Sequence, residues 1–314
     1  LMLLYIAKRL GAGVVLALLV SFITFMLLST SFEDVARTIL GPSATPETVE
    51  GIMAARGWDR PAIVQYVDWL VHALRGDFGV SVYTSLPVAP SVIQRLAVTL
   101  SIIVPALVIT AVIATFLGVW SASRGGIVDR ISQGLSLVGY LIPGLLLAIG
   151  LVVIFAVQLK WLPATGFTPF ADNPAAWLRS ITIPVIVLVI GGAANMTAQV
   201  RGRMIDELRK DYVRTLRTRG VSTNAIIVKH ALRNAGSPAL TVMSLEFIQM
   251  FGAALIIENV FALPGYGSFA FNASLQGDIP VILGITAFGT LLVIVVNLVT
   301  DLANGWLNPK ARVR

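Results

Sequence analysis

The 314-residue chain has no cysteine and only two histidines, His72 and His230. Without thiols there are no disulfides, no thiolate-zinc sites and no cysteine nucleophile, and two distant histidines do not make a metal cluster. Charge is scarce too. Charged residues are 12% of the chain, against about 25% in soluble domains. No Gly-x-x-x-x-Gly-Lys-[Ser/Thr] phosphate loop occurs, so this chain does not hydrolyse ATP by that device. What it has in excess is apolar side chains, 56% of the total, arranged in long blocks rather than on one face of an amphipathic period.

A bilayer core about 30 Å thick is crossed by about 20 apolar helical residues. Six stretches are long enough: residues 10–28, 97–120, 131–157, 181–200, 238–257 and 279–303. The expected fold class is therefore all-α, a polytopic membrane protein with six transmembrane helices. The first apolar run exceeds the roughly 7–15 residues of a signal core, and no small-x-small site follows, so it reads as a retained anchor. Lysine and arginine accumulate on the inner side of a bilayer. With the N-terminus inside, the inner segments hold Lys8, Arg9, Arg124, Arg130, nine basic residues from Arg201 to Arg233, and Lys310, Arg312 and Arg314, which is sixteen of twenty-three. This places both termini in the cytoplasm, and it explains the net charge of +7 without nucleic acid.

Three parts are expected: residues 1–30 as tail and first span, 31–96 as an extracytoplasmic loop subdomain, and 97–314 as a core of five spans with an internal loop at 201–237. The external segment has turn signals at Gly41-Pro42, Thr45-Pro46 and Arg60-Pro61. The spacing predicts an amphipathic helix over 62–74, with Ile63, Tyr66, Val67, Leu70 and Leu74 on one side. A cap on the external mouth and a docking place for a solute-donating partner both remain open for this segment. Pro105, Pro143, Pro184 and Pro238 fall in or beside spans, and Pro143-Gly144 reads as a kink or a hinge.

The internal loop carries the most information. Met204, Ile205, Leu208, Tyr212 and Leu216 recur at helical spacing, which predicts one amphipathic helix. Gly220, free to adopt positive φ, stops it. Ser222 can cap a second helix whose apolar face is Ile226, Ile227 and Leu232. The preference for internal positive charge explains the basic residues here, but not a two-helix element broken at one glycine.

This loop resembles a known family. The run Asp211-Tyr212-Val213-Arg214-Thr215-Leu216-Arg217-Thr218-Arg219-Gly220, followed by His230-Ala231-Leu232-Arg233-Asn234-Ala235, is similar to the cytoplasmic signature loop of ABC importer permeases. The form is that of the binding-protein-dependent dipeptide, oligopeptide and nickel subfamily. The general signature is Glu-Ala-Ala, three residues, then Gly. Arg214, Thr215 and Leu216 stand in its first three places and Gly220 in its last. The subfamily commonly carries Arg-Thr-Ala, so Leu216 departs from it by added bulk. Asp59-Arg60-Pro61, Gln65-Tyr66, Arg75-Gly76-Asp77-Phe78-Gly79, the run 159–166 and the run 258–267 resemble other parts of the first, B-type, permease of the pair.

The resemblance implies a type I ABC importer permease fold in the cell inner membrane, and half of a translocation pathway for peptides or similar small solutes. The implied partners are a second permease subunit, two ATPase subunits or a fused ATPase, an extracytoplasmic solute-binding protein, and membrane lipid. No cofactor is expected on this chain, with ATP and Mg on the partner subunits, and no catalytic or metal residue. The residues expected to couple to the ATPase are Asp211, Tyr212, Arg214, Thr215, Leu216, Arg217, Arg219, Gly220, Val221, Ser222 and His230. In the fifth span, Glu246 should face protein or water rather than lipid, because an ionised carboxylate there costs about 2.5–3.5 kcal/mol on insertion scales. With Gln249 and Met250 it lines the solute pathway in one reading. In the other it hydrogen-bonds a helix carrying Asn195 or Gln199. Glu258 is expected to organise the Pro264-Gly265 turn. An ion-coupled secondary transporter would bury paired charges and show related halves, and neither is evident. A purely structural membrane subunit would have no need of the folded internal loop.

Overall fold

The computed structural model describes residues 2–307, without the side chains of 2–5, 236–239 and 305–307. Lys310, Arg312 and Arg314 of the inner-side count, and the side chain of Pro238, lie outside the described residues. Apart from an isolated antiparallel bridge between Val80 and Pro87, the regular structure among the described residues is helical. The helices are α1 (Met2–Ser29), α2 (Phe32–Leu40), α3 (Pro46–Arg56), α4 (Ala62–Ala73), α5 (Val88–Arg124), α6 (Gly126–Leu141) and α7 (Gly144–Leu151). They continue with α8 (Pro174–Leu208), α9 (Asp211–Thr218), the short α10 (Thr223–Ala225), α11 (Leu232–Val260), α12 (Tyr266–Gln276) and α13 (Ile279–Leu307).

Five of these are long and apolar enough to cross a membrane, within α1, α5, α8, α11 and α13. The span expected at 131–157, third in chain order, differs from a single helix: α6 and the run from Gly144 to Gln158 meet at an angle of 92°. Proline explains the break. It lacks an amide hydrogen and pushes the preceding residue out of the helical region, and Ile142 is accordingly extended at φ −73°, ψ 118°. Beyond α7 the chain widens into π-type turns over Val152–Gln158. Pro105 and Pro184, by contrast, are absorbed within α5 and α8.

The chain divides into two compact units, one of Met2–Ala97 with Ser268–Val295, the other of Val98–Gly267 with the chain from Val296. The first unit is built on aromatic packing. Phe25, Phe32 and Tyr66 are buried with Val35, Ile279 and Leu283, and Phe32 stacks on Trp58 at 5.1 Å. Tyr66 reaches α1, its hydroxyl 3.0 Å from Ser21 Oγ and 3.2 Å from the Leu18 carbonyl. The α4 helix forms where expected, but its buried face is not the expected stripe. Gln65 and Tyr66 are buried, whereas Ile63, Val67 and Leu74 are exposed. The aromatic cluster draws Tyr66 inward, and Gln65 turns in to donate to the carbonyls of Trp58 and Arg60 at 3.2 and 2.7 Å. The turn signals also take specific forms: Gly41–Ser43 is a 3₁₀ turn, and Thr45 caps α3 ahead of Pro46 with a reciprocal bond to Thr48.

The second unit is organised around α8, which packs on α6, α7 and α11. Lipid tails are as apolar as leucine, so association of such helices depends on close fit rather than on hydrophobicity. Gly139 of α6 supplies that fit, since a Cβ there would lie 3.1 Å from the Ala194 methyl of α8. Lower on α8, Met196, Val200 and Met204 pack with Ala114, Ile227, Ala231, Ala235 and Val242. That cluster joins the spans to the internal element.

Candidate functional site

The internal element begins where α8 ends at Leu208. Arg209 and Lys210 turn the chain, and α9 starts at Asp211 behind Lys210 in an extended conformation. The single amphipathic helix expected across Met204 to Leu216 is thus two helices. The physical reason is Glu207. It is buried, it accepts from the Tyr212 hydroxyl at 2.9 Å, and it pairs with Lys210 Nζ. These two bonds pull the residues after Leu208 back across the end of α8, so Val213 becomes the buried residue of α9. Burial raises the Tyr212 phenol above its ordinary pKa, Asn234 opposes this and Glu207 adds to it. Tyr212 is therefore a neutral donor at physiological pH.

Gly220 ends α9 at φ 78°, with open space around the position a Cβ would take. The amides of Gly220 and Val221 close back on the carbonyls of Arg217 and Leu216 at 3.0 and 3.1 Å, which satisfies orphan carbonyls at the helix end. Ser222 caps α10 by accepting from the Ala225 amide at 3.4 Å. The chain then enters a π turn over Ile226–Ala231, which buries Ile226, Ile227 and Ala231. Asp211, Arg214, Thr215, Arg217, Arg219, Gly220 and Ser222 are exposed, while Tyr212, Leu216, Val221 and His230 are half-buried. The eleven expected residues therefore lie along one continuous helix–turn–helix segment anchored by Val213, Ile226 and Ile227.

The residues expected in the pathway sit elsewhere in the same unit. Glu246 on α11 is only 4% exposed. Asn195 of α8 donates to its Oε2 at 3.0 Å and lies 3.5 Å from Gln249 Oε1, and Gln199 donates to Asn195 at 3.3 Å. The hydrogen bond to a neighbouring helix is thus present. A cavity of about 300 Å³ lies against the same residues, lined by Gly191, Asn195, Glu246, Gln249, Met250 and Tyr140. Gly192 makes room for the carboxylate, because a Cβ there would lie 2.7 Å from both Glu246 Oε1 and the Met250 methyl.

A second cavity of about 440 Å³ shares Tyr140 and Asn195 with the first and extends along α6 and α8 past Ser132, Gln133 and Thr197 to Arg201. At that end Arg201 grips Asp129 with both arms of its guanidinium, Nη2 to Oδ2 at 2.6 Å. Asp129 also accepts from Ser121 and Gln133 at 2.5 and 2.9 Å. In the sequence Arg201 is one of a basic run, and Asp129 belongs to no motif. An acid set between Arg124 and Arg130 was the available signal.

Glu258, at the other end of α11, is fully buried. Thr99 donates to its carboxylate and in turn accepts the Tyr266 amide at 2.8 Å, and the Leu263 amide bonds the Glu258 carbonyl at 2.8 Å. A Cβ at Gly265 would overlap the Glu258 carboxylate. Among the described residues no group of three His, Asp or Glu side chains is placed to hold a metal ion.

Long apolar helices joined by an exposed basic helix–turn–helix describe a multi-pass membrane protein. Comparison with known proteins narrows this. Residues 114–313 match the family described as binding-protein-dependent transport system inner membrane component, and residues 2–103 match its N-terminal membrane-component companion. The chain is 35% identical to a Sinorhizobium fredii protein named as a peptide ABC transporter permease, over 98% of this chain and 99% of that one. It is 32% identical to the glutathione transport system permease GsiC of Shigella flexneri, over 100% of both. The inward-facing MetNI methionine ABC transporter shares the fold, with a TM-score of 0.54 at 15% identity, covering 69% of this chain and 96% of that chain. The chain belongs to the family of binding-protein-dependent inner-membrane transport components: it is an ABC importer permease subunit and not an enzyme.

Proposed function

We propose that this chain is one of two permease halves of an importer for peptides, driven by cytoplasmic ATPase subunits and supplied by an extracytoplasmic solute-binding protein. The peptide class is supported by relatives of near full coverage that are named for peptide and glutathione transport. ATP and Mg belong to the partner ATPases, and the partner permease forms the other wall of the pathway. The N-terminus and the 201–237 loop face the cytoplasm, residues 31–96 form the external subdomain after a first part of 1–30, and 97–314 is the permease core. Lipid surrounds the exposed apolar faces.

The observation that carries this reading is the element around Gly220. Its apolar side is anchored in the span cluster through Ile227 and Ala231, while Arg214, Thr215, Arg217 and Arg219 face outward. Such an element transmits force, because a load on the exposed face reaches the spans through packed side chains rather than through a loose loop. Leu216 and Val221 offer apolar contact to the ATPase, the arginines meet acidic or carbonyl groups there, and Asp211, Tyr212, Ser222 and His230 hold the turn in shape.

The test is Gly220→Val in the purified complex. Gly220 has space around it but a left-handed φ, which costs a side-chain-bearing residue about 1–2 kcal/mol. The chain should fold and the complex assemble, while ATP-driven peptide uptake into proteoliposomes falls to background. Normal uptake would remove the coupling role.

A further inference from the structure

The proposal rests on the pathway reading above and names what the pathway recognises. Three facts converge on one place in the α6–α8–α11 packing. Glu246 is a carboxylate buried in a span, and one of its oxygens takes a single amide bond from Asn195. A cavity of about 300 Å³ opens on the same carboxylate, with Gln249 and Asn195 on its wall. The adjoining cavity continues from Asn195 past Ser132, Gln133 and Thr197 to Arg201, so a single track leads from Glu246 along α6 and α8.

The charge along this track is one-sided. Arg201 is neutralised by Asp129 at the far end, and no basic residue lines the cavity at Glu246. A buried acid without a cationic partner is costly, and a cation entering the cavity relieves that cost.

We infer that Glu246, with Gln249 and Asn195, forms a recognition point for an ammonium or other cationic group of the transported solute. For peptides this is the free amino terminus or a basic side chain. Asn195 holds the carboxylate in position, and the solute cation supplies the missing counter-charge as it passes.

The experiment uses the assembled complex with its binding protein in proteoliposomes and compares uptake of Ala-Ala-Ala with that of N-acetyl-Ala-Ala-Ala and Lys-Ala-Ala. The unmodified binding protein delivers the same mixture to every variant, so changes in the uptake ratio report the permease. Glu246→Gln keeps the volume and the bond to Asn195. It should lower the ratio of Lys-Ala-Ala to N-acetyl-Ala-Ala-Ala by roughly tenfold, the factor of about 1.4 kcal/mol. Adding Gln249→Glu to it, which returns a carboxylate to the same cavity, should restore most of the ratio. An unchanged ratio in Glu246→Gln overturns the inference.

Should Glu246→Gln fail to assemble, the absence of cysteine from the chain permits a second measurement. Ala253→Cys places a lone thiol on the cavity wall with Glu246 intact. A cationic methanethiosulfonate reagent should then label it faster than an anionic one, and Lys-Ala-Ala should protect it. Equal rates without protection overturn the inference as well. Absence of uptake of any peptide by the wild-type complex is a different result, because it removes the peptide reading while the charge selectivity of labelling remains measurable.

Discussion

Two carboxylates twelve residues apart on one helix have opposite surroundings. Glu258 is enclosed: Thr99 bonds it, the Leu263 amide bonds its backbone, and Gly265 presses against it so closely that no Cβ fits. Glu246 is as polar and nearly as buried, yet a cavity stands beside it and one amide holds it. Burial alone does not separate the two acids. The space left beside the carboxylate does, and it is what the proposed solute contact at Glu246 rests on, because packing that fills every contact leaves no path for a guest.

The comparison can be broken at either acid. The largest effect is expected from Gly265→Ala, where the new methyl collides with a carboxylate that cannot move. The solubilised chain should lose its cooperative melting transition or fail to accumulate in the membrane. Thr99→Val keeps the shape but removes a donor to Glu258 and an acceptor for Tyr266, so a loss of about 1–3 kcal/mol is expected, read as a lower Tm with uptake reduced in proportion to folded protein. Gly192→Ala at the open end should show the reverse balance. Its Cβ would meet most closely the tips of Glu246 and Met250, which can shift into the cavity, and would press more lightly on the Thr110 methyl at 3.2 Å. Tm should therefore move little while uptake drops several-fold. Equal Tm losses for Gly192→Ala and Gly265→Ala would erase the distinction between the two acids.

Much of the fold was legible because the bilayer imposes it: apolar length alone locates helices long enough to span. The internal element was legible for a local reason too. Gly220 and Ser222 act within one turn of their own position, so the left-handed stop and the cap appear where the residue types place them. The misreadings have a common form. One helix across Met204–Leu216 was expected because its apolar spacing is regular, but the buried Glu207 recruits Lys210 and Tyr212 and divides it. Of the α4 stripe of Ile63, Tyr66, Val67, Leu70 and Leu74, the aromatic cluster around Phe25 and Phe32 takes in Tyr66, while Gln65 from outside the stripe is buried and Ile63, Val67 and Leu74 stay exposed. The kink or hinge expected at Pro143, by contrast, is present as a bend of 92°.

Composition and periodicity by themselves determined that this chain is a helical membrane protein with a folded basic element between two of its spans. Hydrophobic length, helix stops and caps are short-range properties, written in neighbouring residues. Which groups meet was decided only by the tertiary structure. Asn195 reaches Glu246 across 51 residues and Arg201 reaches Asp129 across 72. Those pairings depend on helices packed closely enough to exclude lipid, and no local pattern encodes which face of one helix will lie against which face of another.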